Sequence, residues 1–393
     1  MRAPDVTATL AAFERRGPGT DAERRAARRL ARDLTAEGFR VTTEPFWCRP
    51  NWALAHSWHV ALALAGSLVS VSHPTIGAAL LATALLSVIT DGLTGVSPGR
   101  RLTPERASQN VVAKPGADTA DTLTRLIVTA KYDPPRAGLI YRDGLRRIAA
   151  ALRRLAGPLA LGWLAWLSIL IAWSLAIAIV RATGHDSKHL LGALQLPPTV
   201  ALVLALALLL EAAASGYGPS PADDHGDSAA VAIAATSALT ASPPRNLTVE
   251  LVLQGAGEGQ EIGMRRYLKA HRRKLRDRTT IVIGLAASGD GPPRWWRSDG
   301  RLIPIRYTRR LNELAETAAE GEATRWRGRG GTPALPARMR GLPAIAIGTI
   351  DAANQIERDA DKPLQQFALR LTEAIDSALE PDRTPDEPAP TPA

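Results

Sequence analysis

A chain of 393 residues, 46% of them hydrophobic, is long enough for one large or two ordinary domains and can fill a substantial core. Its formal net charge of +10 suits an anionic lipid surface or a solvated basic face; no helix-turn-helix, zinc-finger or aromatic RNA-binding signature accompanies it, which sets nucleic acid aside. A single cysteine, Cys48, excludes an internal disulfide framework and suits a reducing compartment.

The first predicted element is a helix. Thr20-Asp21-Ala22-Glu23 forms a capping box, the apolar stripe runs through Ala26, Leu30, Leu34 and Ala36, and Gly38 closes the last turn. This Arg-rich amino-terminal region lacks the apolar core of a cleavable signal peptide. An extended stretch over residues 40–46 follows.

Four apolar runs then stand out, over residues 52–72, 75–90, 155–180 and about 196–213, each near or above the length that crosses a bilayer. They read as two transmembrane hairpins. Trp52 and Trp58 in the first run, and Trp163, Trp166 and Trp173 in the third, suit interfacial or packed membrane helices, although buried soluble helices carry such residues too. The second run is short, begins after Pro74 and ends at Asp91, so a re-entrant or buried helix is its alternative reading.

The arginines predict the orientation. Arg100, Arg101 and Arg106 follow the second run and Arg146, Arg147, Arg153 and Arg154 precede the third, whereas residues 72–74 carry no cation and residues 181–189 only Arg181 and Lys188. Both hairpins therefore dip outward, and every long polar segment is expected on the cytoplasmic side of an inner membrane. Each juxtamembrane cation gains about 1 kcal/mol from anionic lipid. Arg294-Trp295-Trp296-Arg297 reads either as a contact with the same leaflet or as an exposed loop. His56, His59 and His73 read as interfacial histidines or as a proton or metal path. The spans are otherwise taken as nearly free of polar residues, which ranks a transporter or channel component last among the functional classes.

The remaining chain alternates strands and helices. Strands are predicted over 109–114, 124–131, 247–254, 279–285 and 342–347, and helices over 228–240, 261–270, 308–319 and 362–379. The expected class is α/β, a mostly parallel central sheet with helices on both faces, interrupted by two inserted transmembrane hairpins. The soluble domain is thus assembled from residues 1–50, 93–152 and 215–380, with hairpins at 51–92 and 153–214 and a disordered Pro-rich tail at 381–393.

Several ordered motifs carry a family resemblance. GPGTDAERRAARRLARDLTAEGFRVTTEPF (17–46), SQNVVAKPG (108–116), LIVTAKYDP (126–134), PADDHGDSAAVAIA (221–234) and LQGAGEGQEIGMRRYL (253–268) together resemble the di-zinc aminopeptidase family that also contains the transferrin-receptor, glutamate carboxypeptidase and glutaminyl cyclase domains. The resemblance implies two zinc ions sharing a bridging carboxylate, and a glutamate that activates the metal-bound water. By the same resemblance Asp224 matches the bridging aspartate and Glu258 the second glutamate of a GAEE motif. The other positions depart from the pattern. Lys131 stands for the first histidine, Gly257 for the general base, Ala286 for an aspartate ligand and Gln355 for the later histidine, while residues 332–343 lack the usual SDH.

An ammonium has no lone pair to donate and repels a dication, so Lys131 is no passive substitute. The expectation is a dead site with no catalytic residue and no cofactor, in which Lys131 supplies a positive charge between Asp224 and Glu258. Asp133, which would orient the histidine, is expected to pair with Lys131 or an arginine. Two alternatives keep a metal: a rebuilt single-ion site from Asp223, Asp224, His225, Asp227 or Glu258, and a residual membrane-anchored zinc metallopeptidase. Residues 328–331 lie in an Arg-rich flexible segment and do not read as a nucleotide loop. The expected function is a non-catalytic binding or scaffolding module whose partners are the bilayer and an unidentified protein or peptide ligand.

Overall fold

The computed structural model describes residues 3–116, 124–139, 142, 144–145, 148, 151, 161–184, 188–218, 225–276, 279–286, 291–349 and 361–379. Its centre is a nine-stranded sheet. In chain order the strands are β1 (Arg40–Cys48), β2 (Arg106–Lys114), β3 (Thr124–Lys131), β4 (Leu247–Gln254), β5 (Thr280–Ala286), β6 (Arg294–Asp299), β7 (Ile305–Arg306), β8 (Thr324–Arg327) and β9 (Ala344–Gly348). Spatially they run β1-β2-β4-β3-β5-β9-β6-β7, with β8 on β6. Strands β4, β3, β5 and β9 are mutually parallel. The sheet is mixed and not mostly parallel, because β1, β2, β6 and β7 join as antiparallel neighbours on the two flanks.

Alternation along the strands explains why both faces are covered. Leu126, Val128 and Ala130 of β3, with Val249, Leu251 and Leu253 of β4, enter one core, while Ile127 and Val252 enter another on the opposite face. The first core is closed by α1 (Ala3–Ala11), α2 (Asp21–Ala36), α8 (His225–Ala241), α11 (Arg309–Ala318) and α13 (Asp361–Ser377). The second is closed by α9 (Ile262–Ala270), α10 (Arg272–Arg276) and α12 (Leu335–Met339). Helix α2 starts as its capping box predicts: the Thr20 hydroxyl accepts from Glu23 N at 3.1 Å. The Glu23 carboxylate, however, reaches Gly19 N, Ala256 N and the Ser108 hydroxyl, tying the helix start to the sheet.

The apolar runs form four helices long and apolar enough to cross a membrane by length and composition. They are α3 (Trp52–Val69), α4 (Pro74–Thr94), α6 (Trp163–Ala182) and α7 (Lys188–Ala214), with the short α5 (Pro98–Arg101) after α4. They pack as a bundle: α3 lies against α4 and α7, and α6 lies against the same two helices. Leu81, Val88, Leu164, Ile171 and Leu202 fill its interior. Leu68, Leu86, Trp166 and Leu204 are exposed on its outside, at 64%, 64%, 50% and 61%. Helix α4 is continuous for 21 residues, from Pro74 in its first turn to Gly95, whose φ of 72° ends it, so it lacks the break of a re-entrant segment. Helix α7 begins before the predicted start and contains Pro197 and Pro198.

The bundle is more polar inside than the sequence reading allowed. Asp91 of α4 takes a bidentate contact from Arg100, 2.7 Å from Nε and 2.8 Å from Nη2, and lies 3.4 Å from His56 Nε2. His59 Nε2 meets the Ser87 hydroxyl at 2.8 Å. Nearer the far end of the bundle, Gln195 Nε2 donates to Ser67 O at 2.6 Å and Arg181 contacts Gln195 Oε1 at 2.5 Å. Most of these groups satisfy one another, as buried polar atoms tend to, but His56 Nε2 has no hydrogen-bond partner. His73 precedes α4 as its N-cap residue.

Both hairpins leave the sheet at one edge. Cys48 of β1 pairs with Arg106 of β2, so residues 49–105 occupy the place of the turn in a β-hairpin. The second hairpin enters after Lys131, the last residue of β3. Because β2 runs antiparallel to β4, its start lies at the carboxyl end of the parallel strands, where β3 also ends.

Candidate functional site

The carboxyl edge of the parallel strands carries the residues that the sequence singled out. Lys131 ends β3 beside Gln254 of β4, and the chain leaves Gln254 through a loop over residues 255–261. The buried Lys131 ammonium donates to Glu261 Oε1 at 3.1 Å and to Gly331 O at 3.3 Å. Arg301 Nη2 donates to the same Glu261 oxygen at 2.9 Å. One buried carboxylate therefore lies between two cations.

Burial alone would push Glu261 up, but the Arg301 and Lys131 cations hold its carboxyl below the usual carboxylate range. Glu261 has φ 49°, the left-handed region that costs a side-chain-bearing residue roughly 1–2 kcal/mol. That strain aims its carboxylate at the ion pairs.

The loop is also held from behind and above. Asp133 accepts from Gly257 N at 2.9 Å and from Glu258 N at 2.8 Å, gripping two successive amides. From the helix bundle, Trp52 Nε1 at the start of α3 donates to Glu258 Oε1 at 3.2 Å. Gly259, at φ 86°, lies under the same indole: a β-carbon there would come 2.6 Å from Trp52 Cγ. Gln260 Nε2 reaches Asp91 Oδ2 at 3.4 Å, a second tie between loop and bundle.

Gly257 is closed to a side chain. A β-carbon built there would lie 2.6 Å from Lys131 Cγ and 3.0 Å from Asp133 Oδ1. The aliphatic stem of Lys131 thus fills the space beside the position that the resemblance assigns to the general base.

A cavity of about 760 Å³ opens over this edge. Lys131, Glu258, Asp299 and Arg301 line its polar part, and Ala286 at the end of β5 also faces it. Its apolar wall comes from α6 and α7, and Trp52 joins the two parts, donating to Glu258 and packing on Trp163 of α6 with ring centroids 5.4 Å apart. Asp299 is fully buried at the end of β6; it accepts from Gly330 N at 3.0 Å, and burial followed by the nearby Glu261 charge pushes its carboxyl upward.

Several expectations change here. The carboxylate that Lys131 meets is Glu261 and not Glu258, because β3 places the ammonium over the start of α9 while the indole of Trp52 engages Glu258. The Arg294–Arg297 stretch is not an exposed loop: it lies in strand β6, with Trp295 and Trp296 buried at 4% and 6% exposure. Residues 328–331 are pinned and line the cavity; Gly328 N donates to Ser298 O and Gly331 O accepts from Lys131. Asp227 accepts from Thr7 of α1 at 3.1 Å. Asp223, Asp224 and Gln355 lie outside the described residues, as does the side chain of His225.

The position of the first histidine in the resemblance is filled by an ion-paired ammonium, and the positions Gly257 and Ala286 offer no donor atom. Among the described residues no group of three or more His, Cys, Asp or Glu side chains forms a cluster able to hold a metal ion. The described donor set does not fit a di-zinc centre.

Glu261, Arg301, Asp299 and Trp52 escaped the sequence reading of the site. Glu261 had a visible signal, an extra acid three residues after Glu258 in one motif; Arg301 had none, because it arrives from the far flank of the sheet.

No family model and no curated protein matches this sequence. Among solved structures, the chain is similar to an aminopeptidase from Aneurinibacillus sp. strain AM-1, at 12% identity over 99% of this chain and 96% of that one, with a TM-score of 0.50. It is also similar to a zinc aminopeptidase from Bacillus subtilis, at 13% identity over 96% and 95% of the two chains, with a TM-score of 0.49. A third is the glutaminyl cyclase of Fimbriiglobus ruber, at 12% identity over 95% and 94%, with a TM-score of 0.47. The likeness to the first establishes an aminopeptidase-like fold.

Proposed function

We propose that this chain is a multi-pass membrane protein whose aminopeptidase-like domain has lost its hydrolytic centre and serves as a binding or scaffolding module. The observation that carries this reading is the Lys131–Glu261–Arg301 arrangement at the strand edge, where the family resemblance requires a metal-ligating histidine. An ammonium fixed there opposes a dication, and its stem excludes a side chain at position 257. The four apolar helices, with large apolar side chains on the outside of the bundle, support insertion in a bilayer. The arginine distribution supports a cytoplasmic soluble domain in an inner membrane.

The test is metal analysis of the purified full chain, with hydrolysis assays on aminoacyl and peptidyl anilides. The expected outcome is no stoichiometric zinc and no turnover. Near-stoichiometric zinc together with turnover that does not depend on Lys131 would establish the membrane-anchored metallopeptidase instead.

A further inference from the structure

Three chain segments meet at the sheet-side end of α4 and form a collar there. The first is the turn after α4, residues 95–103; the second is the end of β1 with Arg49; the third is the turn between β6 and β7. Arg49 Nη1 donates to Arg101 O at 2.8 Å, which ties the second segment to the first. In the third, Leu302 packs on α4, where a β-carbon on Gly92 would come 3.4 Å from its Cδ2. Helix α9 braces the assembly: Arg265 Nη1 donates to Leu93 O at 3.0 Å, and Arg266 Nη2 to Trp47 O at 2.7 Å.

Each segment leaves large apolar side chains in the open. Val96 and Leu102 of the first, Trp47 of the second and Ile303 of the third are all more than half exposed. One such side chain on a surface is ordinary. Four around the end of a single bilayer-length helix instead continue the exposed apolar surface that the bundle presents through Leu86 and Leu204.

Cations stand among them. Arg101 and Arg266 are exposed, and neither lies within ion-pairing distance of a described carboxylate. The acids of this region have other neighbours: Glu105 is 3.7 Å from Arg49, and Glu44, further along β1, is 2.7 Å from His271. Arg100 takes no part, since its guanidinium is buried on Asp91. Cations alone would suit any acidic partner. The indole and aliphatic side chains between them, and their place beside the end of the bundle, select the boundary layer of a bilayer, which takes apolar groups below and cations at its phosphates.

We propose that this collar seats in the headgroup layer of an anionic leaflet, with Trp47, Val96, Leu102 and Ile303 below the headgroups and Arg101 and Arg266 on phospholipid phosphates. The assignment rests on the reading that the four helices lie in a bilayer, and it adds that the sheet domain itself is docked on the membrane surface.

The test uses the full chain with Cys48→Ser in nanodiscs of phosphatidylcholine and phosphatidylglycerol. Single cysteines Val96→Cys, Leu102→Cys and Ile303→Cys carry a polarity-sensitive fluorophore, and the quencher is a phospholipid spin-labelled near its headgroup. Two further probes serve as references: Leu204→Cys on the outside of α7, read with a chain-labelled phospholipid, and Arg309→Cys at the far edge of the sheet, where Thr308 N donates to Ala344 O at the start of β9. The collar probes should emit to the blue and be quenched, and the Arg309→Cys probe should not. Traces of spin-labelled phosphatidylglycerol should quench the collar about fivefold more effectively than spin-labelled phosphatidylcholine, the enrichment expected from one cation near the surface. Arg101→Gln with Arg266→Gln should bring that ratio close to one.

Collar probes that stay polar and unquenched while the Leu204→Cys probe is quenched overturn the docking and leave the bilayer reading standing; a collar that binds an acidic protein or a nucleic acid gives this result. Equal quenching by the two spin-labelled lipids overturns the anionic assignment. An unquenched Leu204→Cys probe sinks the bilayer reading itself, so the two failures are distinguishable.

Discussion

Lys131 Cγ stands 2.6 Å from the point where a β-carbon on Gly257 would lie, so these two positions cannot both carry full side chains in their present conformations. The lysine at position 131 and the glycine at position 257 are therefore one structural fact. The lysine stem occupies the volume, and its ammonium supplies the charge that Glu261 requires.

Gly257→Ala is expected to destabilise the domain by about 1–3 kcal/mol, the cost of overpacking a filled site. Lys131→Ala should relieve most of that penalty, so the double variant will be more stable than the sum of the single effects predicts. A double-mutant cycle on thermal unfolding measures the coupling; additivity would show that the two sites do not touch.

Glu261→Gln leaves Lys131 and Arg301 facing each other without their anion, whereas Lys131→Met leaves Glu261 paired with Arg301. The first should cost about 3–5 kcal/mol and the second less, because only the first strands buried charge. Thermal unfolding of both variants in one detergent checks the order, and the reverse order would contradict the shared-carboxylate geometry.

Burial, assisted by the charge of Asp133, pushes the Glu23 carboxyl up to about 8 from its ordinary 4.5. The folded state therefore binds a proton more tightly than the unfolded chain. Glu23 favours folding most below its unfolded value, and this contribution declines as pH rises from about 4.5 to about 8, by at most about 1.4 kcal/mol per pH unit. Unfolding followed across that interval should show a downward component that Glu23→Gln removes. An unchanged pH profile in the variant would place the titration elsewhere.

Asp91 joins α4 to Arg100, His56 and the loop residue Gln260. Arg100→Met should destabilise the assembly by about 3–5 kcal/mol, because it leaves a buried carboxylate without its bidentate cation. Asp91→Asn combined with Arg100→Met should recover part of the loss, and protease resistance of the first hairpin reports it. No recovery would mean that Arg100 acts mainly through its contact with Arg49 O.

Cys48 is buried at 2% exposure, which gives cysteine mapping a quiet background. On a Cys48→Ser chain, Ser72→Cys between α3 and α4 should react with a membrane-impermeant maleimide in intact cells, and Arg273→Cys only after lysis. The opposite pattern would reverse the proposed orientation.

Local patterns made much of the fold legible. Strand β4 and strand β3 lie where the apolar β-rich runs were read, α2 begins at its capping box, and the apolar runs are helices. The antiparallel flanks were not legible, since residue alternation reports which face is buried and says little about which strand lies alongside. Trp295 and Trp296 show the same limit: cations around an indole pair read as an interface, and only pairing with β8 and β9 puts the indoles inside.

By itself the sequence determined the element types, the bilayer-length helices and the missing donor atoms at positions 131, 257 and 286, because each follows from residue chemistry and short-range periodicity. Tertiary structure alone decided that Lys131 and Arg301 meet on Glu261, that Trp52 ties the first hairpin to the loop, and that the apolar helices α6 and α7 wall the cavity. These contacts join residues 40 to 206 positions apart, and chain order encodes them only through the packing of the whole sheet edge.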